Sequence, residues 1–349
     1  MDSLSQIALG AAVSVAAMGR HTTVARAALW GAVAGTLPDL DVLINHGNPI
    51  HNMVLHRSNS HSLLWLTLLS LPLAAGVSKI HGEWKIWQRW WLALWLALFT
   101  HPLLDLMTVY GTQLALPFSN YPFAVGSIFI VDPLYTVPLL IGTGWALRKR
   151  PLQTGDGATR RLWINSNTLG LLLSTAYLAW GVAVQQHVKN LATEALTGQG
   201  VEVSQLLITP TPLNSVLWRV VAVSGDVYLE GYYSLLDNSR SIQFAQFSRN
   251  LALESELQGN DGVNRIRAFS HGFYAMQQVG TRIVIKDLRM GQEPNYTFSF
   301  AVAERKSPVQ ALALPEKIKF TPDIACGSGW LWRRILGQAL PTASEFCRR

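Results

Sequence analysis

The chain has 349 residues, of which 49% are hydrophobic and only 14% charged; about two domains fit that length, and an average soluble domain carries roughly 25% charge. A mean hydropathy of +0.21 and 13 tryptophans argue against a wholly soluble enzyme and for an integral membrane protein with a soluble appendage. The net charge of +7 sits in short loops between apolar segments, and no lysine–arginine run interleaved with aromatics marks a nucleic-acid face, which excludes nucleic acid as a partner.

The first apolar segment covers residues 3–19. Arg20 follows it and nothing basic precedes it, so it reads as a retained helix rather than a signal peptide. Asp2 with Gln6 reads as a capped helix start. The second segment, 27–44, carries the GxxxG pair Gly31 and Gly35, which permits close helix contact. It ends on Pro38-Asp39-Leu40-Asp41, whose carboxylates either close the helix as turn residues or, on extended backbone, bind metal. His46 and His51 follow in a Gly/Asn/Pro-rich loop and read as surface histidines.

His56-Arg57-Ser58-Asn59-Ser60-His61-Ser62 leads into the third segment, 62–79. Ser60 or Ser62 can cap that helix. Histidines five apart do not share a helical face, so the stretch must be partly loop if both are to meet one ion. Arg57 offers a guanidinium to an anion such as phosphate. In the fourth segment, 86–107, His101 and Asp105 are four apart, share one face and can grip a single ion. Asp132-Pro133 opens the fifth, 128–147, and suits an N-cap followed by N1 as well as a ligand. The sixth covers 163–186. Several segments fall short of the ~20 residues needed to cross squarely, and Pro38, Pro72, Pro102 and Pro138 interrupt them.

Basic residues alternate by loop. Arg20 and Arg26, then Lys79, Lys85 and Arg89, then Arg148, Lys149, Arg150, Arg160 and Arg161 fall on one side; through residue 127 the other side holds only Arg57. The first set is therefore cytoplasmic, with Trp84, Trp87, Trp90 and Trp91 as an interfacial belt beside Arg89. Of the seven acids in residues 1–190, Glu83 and Asp156 are then cytoplasmic, and Asp2, Asp39, Asp41, Asp105 and Asp132 face the periplasm, as do His46, His51, His56, His61 and His101. Asp105 lies ~24 Å along its helix from Arg89, which recesses the candidate site in the outer leaflet.

From about residue 200 the period changes to two. Residues 218–223 and 227–234 read as a hairpin across Ser224-Gly225-Asp226, with further strands at 242–247, 282–286 and 296–303 and turns at 280–281 and 291–294. A helix-like stretch at 251–257 and the basic Trp332-Arg333-Arg334 interrupt the pattern, and His271 reads as an ordinary histidine. The two cysteines, Cys326 and Cys347, are too few for a CxxC-type metal motif and are either a disulfide or two free thiols. No GxSxG elbow, Walker loop or GxGxxG stands in a strand-to-helix context. The expected architecture is an α-helical multi-pass membrane domain of about six apolar helices (1–150, with 151–190 as a cytoplasmic loop and the last membrane helix), followed by a small β-rich periplasmic domain (191–349).

The opening Met1-Asp2-Ser3-Leu4-Ser5-Gln6, Gly35-Thr36-Leu37-Pro38-Asp39-Leu40-Asp41, His56-Arg57 with His61-Ser62, His101-Pro102-Leu103-Leu104-Asp105 and Val131-Asp132-Pro133-Leu134-Tyr135 together resemble the bacterial membrane-bound metal-dependent hydrolases, the LexA-regulated, YdjM-like inner-membrane family. The resemblance is close over about 1–150, and residues 212–221 and 231–236 are similar to the C-terminal extension of a longer branch. It implies a divalent metal and hydrolytic activity. Many members carry histidine where Gln6 stands, and Ser58 and Ser60 replace the family's usual glycine and threonine.

The reading that combines these features is an inner-membrane hydrolase with one or two divalent ions, zinc first and manganese, iron or magnesium as alternatives. The expected ligands are Asp39, Asp41, His56, His61, His101, Asp105 and Asp132; seven exceed the four or so that one zinc uses, so two ions bind or some residues stand behind the ligands. Arg57 would hold the anion, and Asp41 or Asp132, if unligated, would act as general base. The expected substrate is a phosphoester or other ester in a lipid or lipid-linked molecule. One rival is a transporter or ion-conducting protein, which requires polar residues through the cytoplasmic half of the spans, where Thr67, Ser70 and Thr143 stand. Another is a non-enzymatic stress-response scaffold, which requires no ion.

Overall fold

The structure, a computed structural model, describes residues 1–19, 21–148, 157–319 and 323–347, with the backbone alone for 157–165. It divides into two compact units, Met1–Ile44 with His56–Val182 and Asn45–Leu55 with Ala183–Arg349.

In the first unit, Asp2 caps α1 (Ser3–Met18) and Thr23 caps α2 (Val24–Thr36), each side chain accepting a free amide of the first turn. These two helices approach at glycine. A Cβ on Gly10 would stand 2.3 Å from the carbonyl oxygen of Gly31, and one on Gly35 would stand 2.6 Å from that of Gln6. Gly10→Ala is therefore expected to destabilise by about 1–3 kcal/mol through overpacking. Gly76→Ala, in a helix with nothing within 4 Å, should be neutral or stabilising by up to ~1 kcal/mol. Thermal unfolding of the two variants in detergent makes the comparison.

After α2 the backbone tightens into a 3-10 turn, Leu37–Leu43, with Pro38 at its start. The next helix, α3 (Pro49–Leu55), belongs to the second unit. The chain returns at His56, makes a 3-10 turn at Asn59–His61, and enters α4 (Leu63–Ile80), capped by Ser62. There follow α5 (Trp87–Leu106), α6 (Pro133–Arg148) and α7 (Gly157–Gly198), which runs from the first unit into the second. Trp90, Leu94 and Leu98 of α5 pack against Ala11, Val15 and Met18 of α1 and Ala27, Ala28 and Ala34 of α2. At the α4–α5 connection Glu83 accepts Thr22, Arg26 and Trp90. Burial pushes its carboxyl up, but these hydrogen bonds outweigh that and hold it below its ordinary value.

Helices occupy all six apolar segments, but about six spans is corrected to two. Among the described residues only Leu63–Ile80 and the Ser166–Gly198 part of α7 are long and apolar enough to cross a membrane. The segment expected at 27–44 is a 13-residue helix followed by the 3-10 turn, because Pro38 and two carboxylates end it. Shortness limits α1 and α6, 16 residues each, while Gln88, Arg89, His101 and Asp105 dilute α5. Of the residues used to orient the chain, Arg20, Lys149, Arg150 and Asp156 lie outside the described residues, as do the side chains of Arg160 and Arg161.

The second unit holds two four-stranded antiparallel sheets. The first, in order β1-β2-β3-β4, comprises β1 (Gln205–Pro210), β2 (Leu217–Ser224), β3 (Val227–Ser234) and β4 (Phe244–Ser248). Gly225 makes the β2–β3 hairpin, its φ of +54° being one that other residues adopt at a cost. After α8 (Ala252–Ser255) and α9 (Asp261–Phe269) come β5 (Tyr274–Val279), β6 (Arg282–Asp287), the small hairpin β7 (Gly291–Gln292) and β8 (Asn295–Tyr296), β9 (Ser299–Glu304) and β10 (Gln310–Lys317). The second sheet has the order β10-β9-β6-β5. Val221, Val223 and Tyr228 of the first sheet share a core with Ala275 of the second and with Leu288. Arg219 and Glu230 pair in that interior at 2.5 Å, with the Tyr232 and Tyr296 hydroxyls on the same carboxylate. Burial raises both phenols well above their ordinary value. The basic Trp332-Arg333-Arg334 lies within α10 (Ile324–Ile335), and Cys326 is disulfide-bonded to Cys347 just beyond α11 (Ala343–Phe346). His51 pairs with Asp261 of α9 in this unit, at 3.1 Å.

Candidate metal centre

Four side chains of the first unit converge. Asp39 comes from the 3-10 turn, His61 from the turn before α4, and His101 and Asp105 from consecutive turns of α5; one donor atom of each lies within 4.8 Å of all the others. Nε2 of His61 stands 3.1 Å from Nε2 of His101, 3.4 Å from Asp39 Oδ1 and 3.2 Å from Asp105 Oδ2. Nε2 of His101 stands 3.4 Å from Asp39 Oδ1 and 3.5 Å from Asp105 Oδ2. A tetrahedron built on ligand bonds of ~2.0–2.1 Å has edges of roughly 3.3–3.4 Å. Those five separations match five of its six edges to within about 0.3 Å, and the sixth, between the Asp39 and Asp105 oxygens, lies within 4.8 Å.

Ring partners assign the tautomers. His101 Nδ1 lies 2.7 Å from the carbonyl oxygen of Gly35, which can only accept, so a proton is on Nδ1 and, in the neutral ring, the lone pair is on Nε2. Ser60 Oγ donates to Asp41 Oδ2 at 2.5 Å and lies 2.9 Å from His61 Nδ1. Its own proton is thereby used, so His61 Nδ1 donates to it and Nε2 again holds a lone pair. Two lone pairs facing each other at 3.1 Å beside two carboxylate oxygens repel unless a proton or a metal ion lies between them. Anchoring the far ring nitrogen in this way is how proteins aim an imidazole at a metal.

Asp105 divides its two oxygens. Oδ1 faces Gln6 Nε2 at 3.1 Å, Arg57 Nη2 at 3.2 Å and the amino group of Met1. Oδ2, turned toward the histidines, is buried without a hydrogen-bond partner among the described residues. An orphaned buried oxygen is costly, and a cation at the centre would satisfy it. His61, His101 and Asp105 are fully buried, whereas Asp39 is 16% exposed. The open side of the centre is the Asp39 side.

Of the seven expected ligands, the structure brings Asp39, His61, His101 and Asp105 together. His56 and Asp41 stand behind them: His56 Nδ1 is 2.7 Å from Asp41 Oδ1, and Asp41 Oδ2 also accepts the Arg57 amide at 3.0 Å. Asp41 intercepts the His56 ring, and the left-handed backbone at Arg57 (φ +62°) turns the chain between the two histidines. Asp132 is outside the group, capping α6 by accepting the Leu134 amide at 3.0 Å and the Tyr177 hydroxyl at 2.9 Å. The Arg57 guanidinium is buried against Asp105, donates to Thr108 Oγ1 at 3.2 Å and lies 4.8 Å over the Tyr110 ring. It holds an aspartate of the centre rather than standing open to an anion.

Gln6, read from the sequence as part of a helix cap, reaches the centre itself. It donates to Asp105 and to the His101 carbonyl oxygen, and its Oε1 is buried without a hydrogen-bond partner among the described residues. The signal was its place on the α1 face that carries Gly10 and Ser14, the face packed most closely on α2.

A family profile described as YdjM inner membrane protein matches residues 1–188. Among curated proteins the chain is similar to one described as "Uncharacterized protein YfhP" from Bacillus subtilis (strain 168), with 22% identity over 254 residues, covering 68% of this chain and 71% of that one. No solved structure gives a significant match. With more than half its length matched, and with the β-rich extension following, the chain belongs to the YdjM inner membrane protein family.

Proposed function

We propose that the chain is a zinc-dependent hydrolase of the inner membrane, acting on a phosphoester or other ester of a lipid or lipid-linked molecule at the periplasmic leaflet. The observation that carries the reading is the convergence of four donors, Asp39 Oδ1, His61 Nε2, His101 Nε2 and Asp105 Oδ2, within 4.8 Å of one another. Nitrogen and oxygen donors without sulfur suit a hydrolytic zinc site. With all four donors bound, a divalent ion would take a water only as a fifth ligand, on the partly exposed Asp39 side; there it would acidify that water and polarise an ester oxygen. Gln6 and Arg57 fix the Asp105 carboxylate so that Oδ2 points inward, and Gly35 and Ser60 fix the two rings. Asp41 holds His56 by Nδ1, with the ring centroid 5.9 Å from that of His61, and Nε2 of that partly exposed ring is the group proposed to shuttle the proton. His61, two residues before the membrane-capable helix α4, supports a headgroup depth.

The transporter reading loses its polar path. Thr67 and Ser70 accept the indole N–H groups of Trp95 and Trp91 at 3.0 and 2.9 Å, and Thr143 donates to Asn167 at 2.9 Å. These groups join helices rather than line a passage.

Purified protein incubated in detergent with phospholipids and lipid-linked phosphates should release phosphate or alcohol, and a chelator should stop the release until zinc is restored. Metal-independent turnover, or no turnover by zinc-replete protein, overturns the proposal.

A further inference from the structure

The turn that supplies Asp39 and Asp41 directs Leu40, Val42 and Leu43 outward, and Ile44 follows them. Leu40 is 49% exposed, Val42 70%, Leu43 78% and Ile44 56%. Four large apolar residues within five positions at the open edge of a polar centre are not explained by packing, since Leu37 alone of this turn joins the adjoining core cluster. Their level along the fold is fixed by the centre. Asp39 is 3.4 Å from His61, and His61 lies two residues before the membrane-capable helix α4. The loop after α5 reaches the same level: the Leu63 amide donates to Leu114 O and Ser62 Oγ to Leu116 O. That loop exposes Phe118 (83%) and Tyr121 (51%), residues of the kind that settle at a membrane boundary. Leu64 and Trp65, on the first turn of α4, are exposed as well. The apolar turn thus lies at the same end of the membrane-capable helix α4 as these exposed apolar and aromatic side chains.

We propose that Leu40, Val42, Leu43 and Ile44 form a lip immersed in the bilayer, which opens the metal centre sideways to acyl chains. The ligand of the centre is then a membrane amphiphile whose headgroup reaches the Asp39 edge while its chain stays against the lip. Burying apolar side chains of this size in lipid is favourable, whereas a substrate drawn from water would leave them exposed. This rests on the reading of the four-residue group as a metal centre, but its tests do not depend on turnover.

Nitroxide labels at Val42→Cys and Leu43→Cys, in full-length protein reconstituted in phospholipid nanodiscs, should collide more with oxygen than with a water-soluble nickel complex. Cobalt-loaded protein should show a change in its visible spectrum with dioleoyl phosphatidic acid, and none with inorganic phosphate at the same concentration. Leu43→Asp should weaken the lipid response roughly tenfold or more without lowering cobalt per chain. Labels reporting water, or equal responses to phosphate and lipid, overturn the lip. A chain that binds no cobalt while its labels report lipid leaves the lip standing and removes the metal centre instead.

Discussion

Replacing His101 with alanine should strip the purified protein of its ion. Wild-type protein is expected to hold about one divalent ion per chain by elemental analysis, as a single four-ligand set implies, and His101→Ala and Asp105→Ala to hold close to none. Changes behind a metal's ligands typically lower affinity 10–100-fold, so loss of a ligand should exceed that range. The same measurement separates the residues that the sequence grouped together. His56→Ala removes a side chain that touches the centre through Asp41 and should keep the ion at saturating zinc, with affinity reduced within the 10–100-fold range. Asp132→Ala removes a helix cap and should keep the ion while costing about 1 kcal/mol of stability. Because a bound ion stabilises the folded state by mass action, thermal unfolding of wild type should rise with zinc and that of His101→Ala should not. Equal metal content in wild type and His101→Ala would remove the centre altogether.

Arg57→Ala should be among the most destabilising single changes in the first unit. It leaves Asp105 buried with Oδ1 short of its arginine partner, and breaking one side of a buried pair costs about 3–5 kcal/mol. Lysine should recover only part, since its point charge cannot engage both Asp105 and Thr108 as the planar guanidinium does. Glycine should be less harmful than alanine by about 1 kcal/mol, because it relieves the left-handed backbone at φ +62°. Denaturant unfolding in detergent of the alanine, lysine and glycine variants reads these differences. If Arg57→Ala leaves stability and metal content intact and raises KM alone, the guanidinium serves the substrate's anion after all.

Several features were legible because they depend on local pattern. His101 and Asp105 share a helical face by spacing alone, and the β2–β3 hairpin was placed to within a residue at each end by its alternation and by Gly225. The span at 27–44 was misplaced at its C-terminal end because apolar residues continue past Pro38: Leu40, Val42, Leu43 and Ile44 imitate a helix's composition while the backbone is already a 3-10 turn. Gln6 was undervalued because its partners, Asp105 and the His101 carbonyl, are some hundred residues away. Arg57 was read as an open cation because its acceptors, Asp105 and Thr108, come from α5 and the loop after it.

Residue types and their spacing by themselves determined a membrane-associated helical region, a β-rich extension, and aspartates and histidines sufficient for a cation, since helical and strand periodicities are properties of the local chain. The tertiary structure alone decided which of seven candidates meet, which oxygen of Asp105 faces inward, and that Arg57 serves the centre from behind. Donor geometry at the scale of a ~2 Å bond is set by how α1, α2, α4 and α5 pack against one another, and no spacing along one strand of sequence encodes that.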